Sequence, residues 1–211
     1  MNSVLGFAGV FVITFLLGSV PWGVVISRVF FKTDVREHGS GNIGTTNAIR
    51  AMGKVGGYAV FVLDFGKGVL SGFIALWISQ AVGFDAATTK IALGVSFWGC
   101  VWGHIFSPWL GFKGGKGIAV AVGNLFVSFG PIGAIIELVI FGVLVVATKY
   151  VSVGSISSAL ACPLLSIYFF WGNIPGWVLM TVGALTVVWA HRGNFERLRN
   201  GTERRVGDPK D

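Results

Sequence analysis

Polar side chains are scarce in this sequence, and where they gather they are interleaved with glycine. The densest gathering is Gly39-Ser40-Gly41-Asn42-Ile43-Gly44-Thr45-Thr46-Asn47, with Arg50 three residues further on. Glycine admits positive φ and lets successive backbone N–H groups turn inward, which makes a concave nest for an anion. A helix is expected to start near Thr45 or Thr46, capped by a hydroxyl, so that its positive end and the Arg50 guanidinium add to the attraction. The chemistry this suggests is phosphate capture. Taken alone, the stretch reads equally well as a glycine-rich turn before a capped helix.

Two further corners could join it. In Gly114-Gly115-Lys116-Gly117 the glycines let backbone and ammonium approach one anion at the start of a helix. The spacing is not that of a P-loop, because no glycine-lysine-serine or glycine-lysine-threonine ending is in register. A tight basic turn at a membrane surface is the plainer reading. In His191-Arg192-Gly193-Asn194, His191 and Asn194 are three apart and share one face of a helix end. A neutral imidazole can accept a hydroxyl proton or orient a phosphate, and an amide both donates and accepts; a histidine capping a helix end is the plainer alternative. Asp64 and Lys67 are spaced to pair within an apolar helix, more as internal glue than as substrate contacts. His104 reads as a packing or orienting residue, and the lone Glu137 has no evident role. Cys100 and Cys162 fall inside apolar runs and match no metal or redox spacing.

The elements that must position these corners are membrane helices. Of the 211 residues, 54% are hydrophobic and only 12% charged; a soluble domain carries roughly twice that charge. Mean hydropathy is +0.77. The net charge of +7 sits in short clusters between apolar runs, which favours membrane orientation and an anionic substrate over nucleic acid. The first apolar run is too long for a cleaved signal and reads as a retained helix. Seven spans are expected: about Val4 to Phe31 (bent at Pro21 and Gly23), Val55 to Val82, Lys90 to Leu110, a short one from Gly117 to Ser128, Pro131 to Ala147, Val151 to Trp171, and Ile174 to Ala190. With seven crossings, fourteen of the sixteen lysines and arginines fall on one side. The positive-inside tendency then puts the amino terminus outside and the carboxy terminus in the cytoplasm. Residues 1–200 form one all-α integral membrane domain, and 201–211 a polar, flexible cytoplasmic tail.

These residues resemble the three signature motifs of the bacterial acyl-phosphate:glycerol-3-phosphate acyltransferases, the membrane glycerol-3-phosphate acyltransferases of PlsY type. The motifs are Gly39 to Asn47, Gly103-His104 through Gly117, and His191 to Asn194; Leu63 to Gly68 and Lys149 to Ser155 also fit. The resemblance implies a seven-helix inner-membrane enzyme with its site at the cytoplasmic face. It would move a fatty acyl group from acyl phosphate to the sn-1 hydroxyl of glycerol 3-phosphate, giving lysophosphatidic acid and phosphate. No cofactor or metal is implied. Functional coupling to the soluble enzyme that forms acyl phosphate is. Carried over by position, Ser40, Arg50, Lys116, His191 and Asn194 are the catalytic candidates. Gly41, Asn42, Gly44, Thr46, Asn47, Gly114, Gly115 and Ser155 are the candidates for binding substrate phosphate. Two positions depart from the pattern: Thr45 stands where many members carry alanine, and Gly193 where many carry glutamate.

An acyl phosphate is already activated, so positioning and charge stabilisation can supply most of the rate. Whether His191 or a substrate phosphate takes the hydroxyl proton stays open at this level. A transporter of a phosphorylated solute would use similar elements, but the loops on the outer side are short and nearly uncharged.

Overall fold

The computed structural model describes residues 3–208, and among them every regular element is helical. The first apolar run is broken in two: α1 spans Ser3–Ser19 and α2 spans Trp22–Phe30. The break falls at Val20-Pro21, where proline lacks the N–H that would continue the ladder. Next, α3 runs Thr45–Val82 with an interruption at Gly53 (φ 72°), so its first two turns are a separate short helix under the first loop. The helix begins where the sequence predicts, but its N-cap is Gly44 and no hydroxyl caps it.

After the Gly83 turn come α4, Ala86–Ile105, and a single 3-10 turn at Pro108–Leu110. The remaining helices are α5, Ile118–Ser128; α6, Gly130–Thr148; α7, Val151–Phe169; α8, Ile174–Ala190; and α9, Arg192–Arg199. Among the described residues, five helical stretches are long and apolar enough to cross a bilayer, six if α8 and α9, bent by 46°, count as one. The 11 residues of α5 give only about 16 Å, roughly half the hydrocarbon thickness.

Helices α4, α5 and α8 form the inner layer. Phe97, Cys100, Val101, Val120, Leu125 and Val187 are buried among them. The outer faces of α1, α3 and α6 remain apolar and exposed, as at Val12, Val62, Ile132 and Val146, because lipid is their solvent. With lipid as apolar as leucine, close backbone packing holds the helices together. The crossing of α3 and α5 shows how: a Cβ on Gly68 would overlap the Val120 carbonyl oxygen, and one on Gly123 the Phe65 carbonyl oxygen. Glu137 on α6 is buried and accepts a hydrogen bond from Ser158 of α7 at 2.8 Å, which ties those two helices.

Candidate active site

The first loop is built before it is used. Asp34 caps the 3-10 turn Val35–Glu37 by accepting from the Arg36 N–H, and its carboxylate pairs with Arg28 at 2.8 Å and Arg36 at 2.7 Å. The bond to Arg36, before all else, holds the Asp34 carboxyl well below its usual range. Asn47 then ties the loop together. Its Nδ2 donates to the carbonyls of Val35 and Asn42, both at 2.8 Å, and its Oδ1 accepts from the Ser40 N–H at 2.9 Å. Asn42 Oδ1 accepts from the Gly44 N–H. The sequence reading counted Asn42 and Asn47 as substrate contacts; Asn47 is instead buried and wholly committed to the loop's own backbone, and Asn42 shares in that work. Gly39 and Gly41 have φ of 54° and 69°, the left-handed turns that let the chain double back. Ser40 and Thr46 are exposed on this loop, and Arg50 is half-buried beneath Gly39.

The second loop is pinned to the end of α4. The Gly114 N–H donates to Ile105 O at 2.9 Å, and the Gly115 N–H to His104 O at 3.0 Å. The expected anion contacts through these two N–H groups are therefore already spent. What glycine supplies here is closeness, since a Cβ on Gly114 would overlap the His104 carbonyl, and one on Gly115 the His104 ring. The Lys116 ammonium is left as the charge of this corner. Burial, then the nearby Arg197, push it down to about 8; Glu203 acts the other way, and Arg50 adds to the lowering.

The third corner sits where α8 turns into α9. His191 Nδ1 lies 2.8 Å from Val187 O. A carbonyl only accepts, so Nδ1 carries the proton and Nε2 keeps its lone pair. Burial lowers the imidazole to about 4, the Val187 bond partly opposing it and Lys116 reinforcing it, so the ring is neutral at pH 7. Asn194 Nδ2 donates to Glu203 Oε1 at 2.6 Å, which fixes the amide and leaves its buried Oδ1 without a partner. Arg197 donates to the other Glu203 oxygen at 2.7 Å. Burial opposes ionisation of Glu203, yet the bond from Asn194, the nearby Ser152 hydroxyl and the bond from Arg197 prevail and hold the carboxyl below its usual range. Arg192, expected near the site, instead turns outward and stacks on Trp189 at 4.0 Å.

The tail supplies residues that the sequence reading missed. It was expected to be flexible, yet up to Val206 it lies against the bundle. The Val206 N–H donates to Lys149 O at 2.8 Å, and Arg205 bonds and stacks on Tyr150. Arg204 reaches Gly39 of the first loop, beside Arg50. Glu203 thus comes to lie between the cationic corners, and nothing in a polar basic tail announces that. Lys210 lies outside the described residues.

The three corners act on one another. Lys116 feels Arg50 from the first loop and both Arg197 and Glu203 from the third, while His191 feels Lys116 and Glu203. Ser155 is buried on α7, about one turn further along than Ser152. Among the described residues, no group of three or more His, Cys, Asp and Glu could hold a metal ion. The assembled chemistry is cationic groups for phosphate, with two polarised acceptors, His191 Nε2 and Asn194 Oδ1, for a hydroxyl.

Comparison with known proteins gives the same direction. Residues 8–201 match the family profile described as glycerol-3-phosphate acyltransferase. The chain is 37% identical over 203 residues to a glycerol-3-phosphate acyltransferase of Gloeobacter violaceus, covering 95% of each protein. It is 39% identical over 194 residues to one from an Anaeromyxobacter species, covering 91% of this chain and 92% of that one. Among solved structures it is similar to PlsY, an integral membrane glycerol 3-phosphate acyltransferase, in its glycerol 3-phosphate form. That likeness has a TM-score of 0.83 and 32% identity, covering 95% of this chain and 96% of the other. The lysophosphatidic acid form of PlsY gives 0.80 and 31%, over 97% of each chain. The chain belongs to the glycerol-3-phosphate acyltransferase family.

Proposed function

We propose that this chain is a multi-pass membrane acyltransferase that moves a fatty acyl group from acyl phosphate to the sn-1 hydroxyl of glycerol 3-phosphate. The glycerol hydroxyl oxygen attacks the acyl carbonyl carbon, the bond from that carbon to the phosphate oxygen breaks, and lysophosphatidic acid and phosphate leave. The observation that carries the reading is the convergence of sequence-distant corners: Arg204 of the tail lies against Gly39 beside Arg50, its neighbour Glu203 bonds Asn194 and Arg197, and Arg50, Arg197 and Glu203 lie near enough to Lys116 to act on its charge.

In this reading Arg50 and Lys116 hold substrate phosphate, with Ser40 at the mouth of the first loop. His191 Nε2 and Asn194 Oδ1 line this corner as acceptors; by accepting from the sn-2 hydroxyl they aim the glycerol, and the single proton of the attacking sn-1 hydroxyl is left free to pass elsewhere. An imidazole held near 4 is a weak base, whereas a phosphate ester or leaving phosphate has a second pKa of about 6. The hydroxyl proton therefore passes to a substrate phosphate, and His191 orients rather than abstracts.

Seven crossings, counting α1 with α2 as one and the short α5 as one, put the three corners on the face that collects the basic residues. By the positive-inside tendency that face is cytoplasmic, and the membrane is the bacterial inner membrane. Acyl phosphate then arrives from the soluble enzyme that makes it, at the lipid surface.

The test is purified protein given labelled glycerol 3-phosphate with acyl phosphate or with acyl-coenzyme A. Lysophosphatidic acid formed from acyl phosphate alone is the expected result. Turnover only with the thioester would overturn the donor assignment, and uptake into proteoliposomes without product would favour a transporter.

A further inference from the structure

The mechanism makes no use of a buried ionisable cluster where α3 packs on α4. Lys67 and Asp64 on α3 and His104 on α4 are each 2–4% exposed. The Lys67 ammonium lies 2.9 Å from Asp64 Oδ1 as an ion pair and hydrogen-bonds the Val20 carbonyl at 2.9 Å and His104 Nδ1 at 3.0 Å. Because Nδ1 accepts from an ammonium, the imidazole is oriented by it.

Each of those partners leads to a loop of the site. Val20 lies in the break between α1 and α2, where Pro21 leaves carbonyls without helical donors. Lys67 is a second donor to the carbonyl of Val20, which also accepts from the Trp22 N–H at 3.1 Å, and the Ser107 hydroxyl satisfies that of Ser19 at 2.7 Å. The break sets where α2 goes, and α2 lies directly on the first loop: a Cβ on Gly23 would overlap the Ile43 carbonyl oxygen. On the other side, the His104 backbone receives the Gly115 N–H, and its ring touches Gly115, next to Lys116. One ammonium is thus the common point from which the Arg50 loop and the Lys116 loop are both set.

We infer that Lys67 is a positioning residue: through Val20 and α2 on one side and His104 on the other, it holds the first and second loops at the separation that lets Arg50 and Lys116 share one substrate phosphate. The inference rests on the proposed acyl transfer to glycerol 3-phosphate. Internal glue alone would stabilise the fold and leave the kinetics of folded molecules unchanged. A positioning role appears in the kinetics.

The test replaces both charges together, Asp64→Asn with Lys67→Met, because removing one member of a buried pair strands the other. The folded fraction is measured by monodispersity and thermal unfolding in detergent, and turnover is expressed per folded molecule. The expected result is at least a tenfold fall in kcat/KM for glycerol 3-phosphate, mostly in KM, since phosphate is gripped in the ground state too. A kcat/KM within twofold of wild type overturns the inference. Should the double variant not fold, His104→Asn and His104→Leu decide. Asn places its Oδ1 where Nδ1 accepts from Lys67, so KM is expected within about threefold of wild type for Asn and raised about tenfold for Leu. Equal KM values in the two variants, high or low, overturn it. Wild-type protein that makes no lysophosphatidic acid would refute the acyl-transfer reading instead, which keeps the two failures apart.

Discussion

Raising the pH from 7 to 9 tests whether Lys116 grips the substrate phosphate. Burial, with Arg197 and Arg50, holds the Lys116 ammonium at about 8 against the pull of Glu203. At that value about nine-tenths of the molecules carry the charge at pH 7 and about one-tenth at pH 9. Nothing else in the encounter changes over this range. The phosphate is largely dianionic throughout, with a second pKa of about 6, and the guanidinium of Arg50 stays charged. Since kcat/KM reports the ionisation of free enzyme and free substrate, it should fall about tenfold between pH 7 and 9, with its midpoint near 8. Lys116→Arg keeps the charge across the whole range. Its profile, normalised to its own value at pH 7, should be flat to pH 9 whatever its absolute rate. Lys116→Met should be low at every pH. The assay is initial-rate kinetics with varied glycerol 3-phosphate at saturating acyl donor. If the fall above pH 8 persists unshifted in Lys116→Arg, some other group titrates and the role given to Lys116 is wrong.

Two further outcomes are expected. His191 titrates near 4 in the folded protein against about 6.5 ordinarily, so between those values the unfolded chain binds the extra proton; stability should decline as pH falls from 6.5 toward 4, by up to about 3 kcal/mol. His191→Gln, which does not titrate there, should flatten thermal unfolding across that window, and an unchanged slope would refute the assignment. Asn47→Ala strands the Val35 and Asn42 carbonyls and the Ser40 N–H; it should cost about 1–3 kcal/mol, seen as a lower melting temperature, and raise KM for glycerol 3-phosphate as the first loop loses its form.

The sequence by itself determined the membrane character and the location of nearly every helix, because apolar runs long enough to cross a bilayer leave little choice. The bend at Pro21 and the short helix after Gly117 were legible from proline and glycine placement; the helix start at Thr45 was legible too, although the hydroxyl cap expected there is absent and Gly44 stands at the N-cap. The three polar corners were legible too, because hydrogen-bonding side chains stand out against an apolar background. Their division of labour was not. Asn47 looks like a ligand contact until the fold shows its amide spent on Val35, Asn42 and Ser40. The N–H groups of Gly114 and Gly115 look available until α4 is seen to claim them. Glu203 and Arg197 enter only because α8 bends into α9 and the tail folds back onto Lys149 and Tyr150. The node at Lys67 joins Val20, Asp64 and His104, up to 47 residues away along the chain. Local pattern reports what each segment can do alone. Which donor meets which acceptor is settled by the helix crossings, where close packing brings only a few partners within reach of each buried polar group.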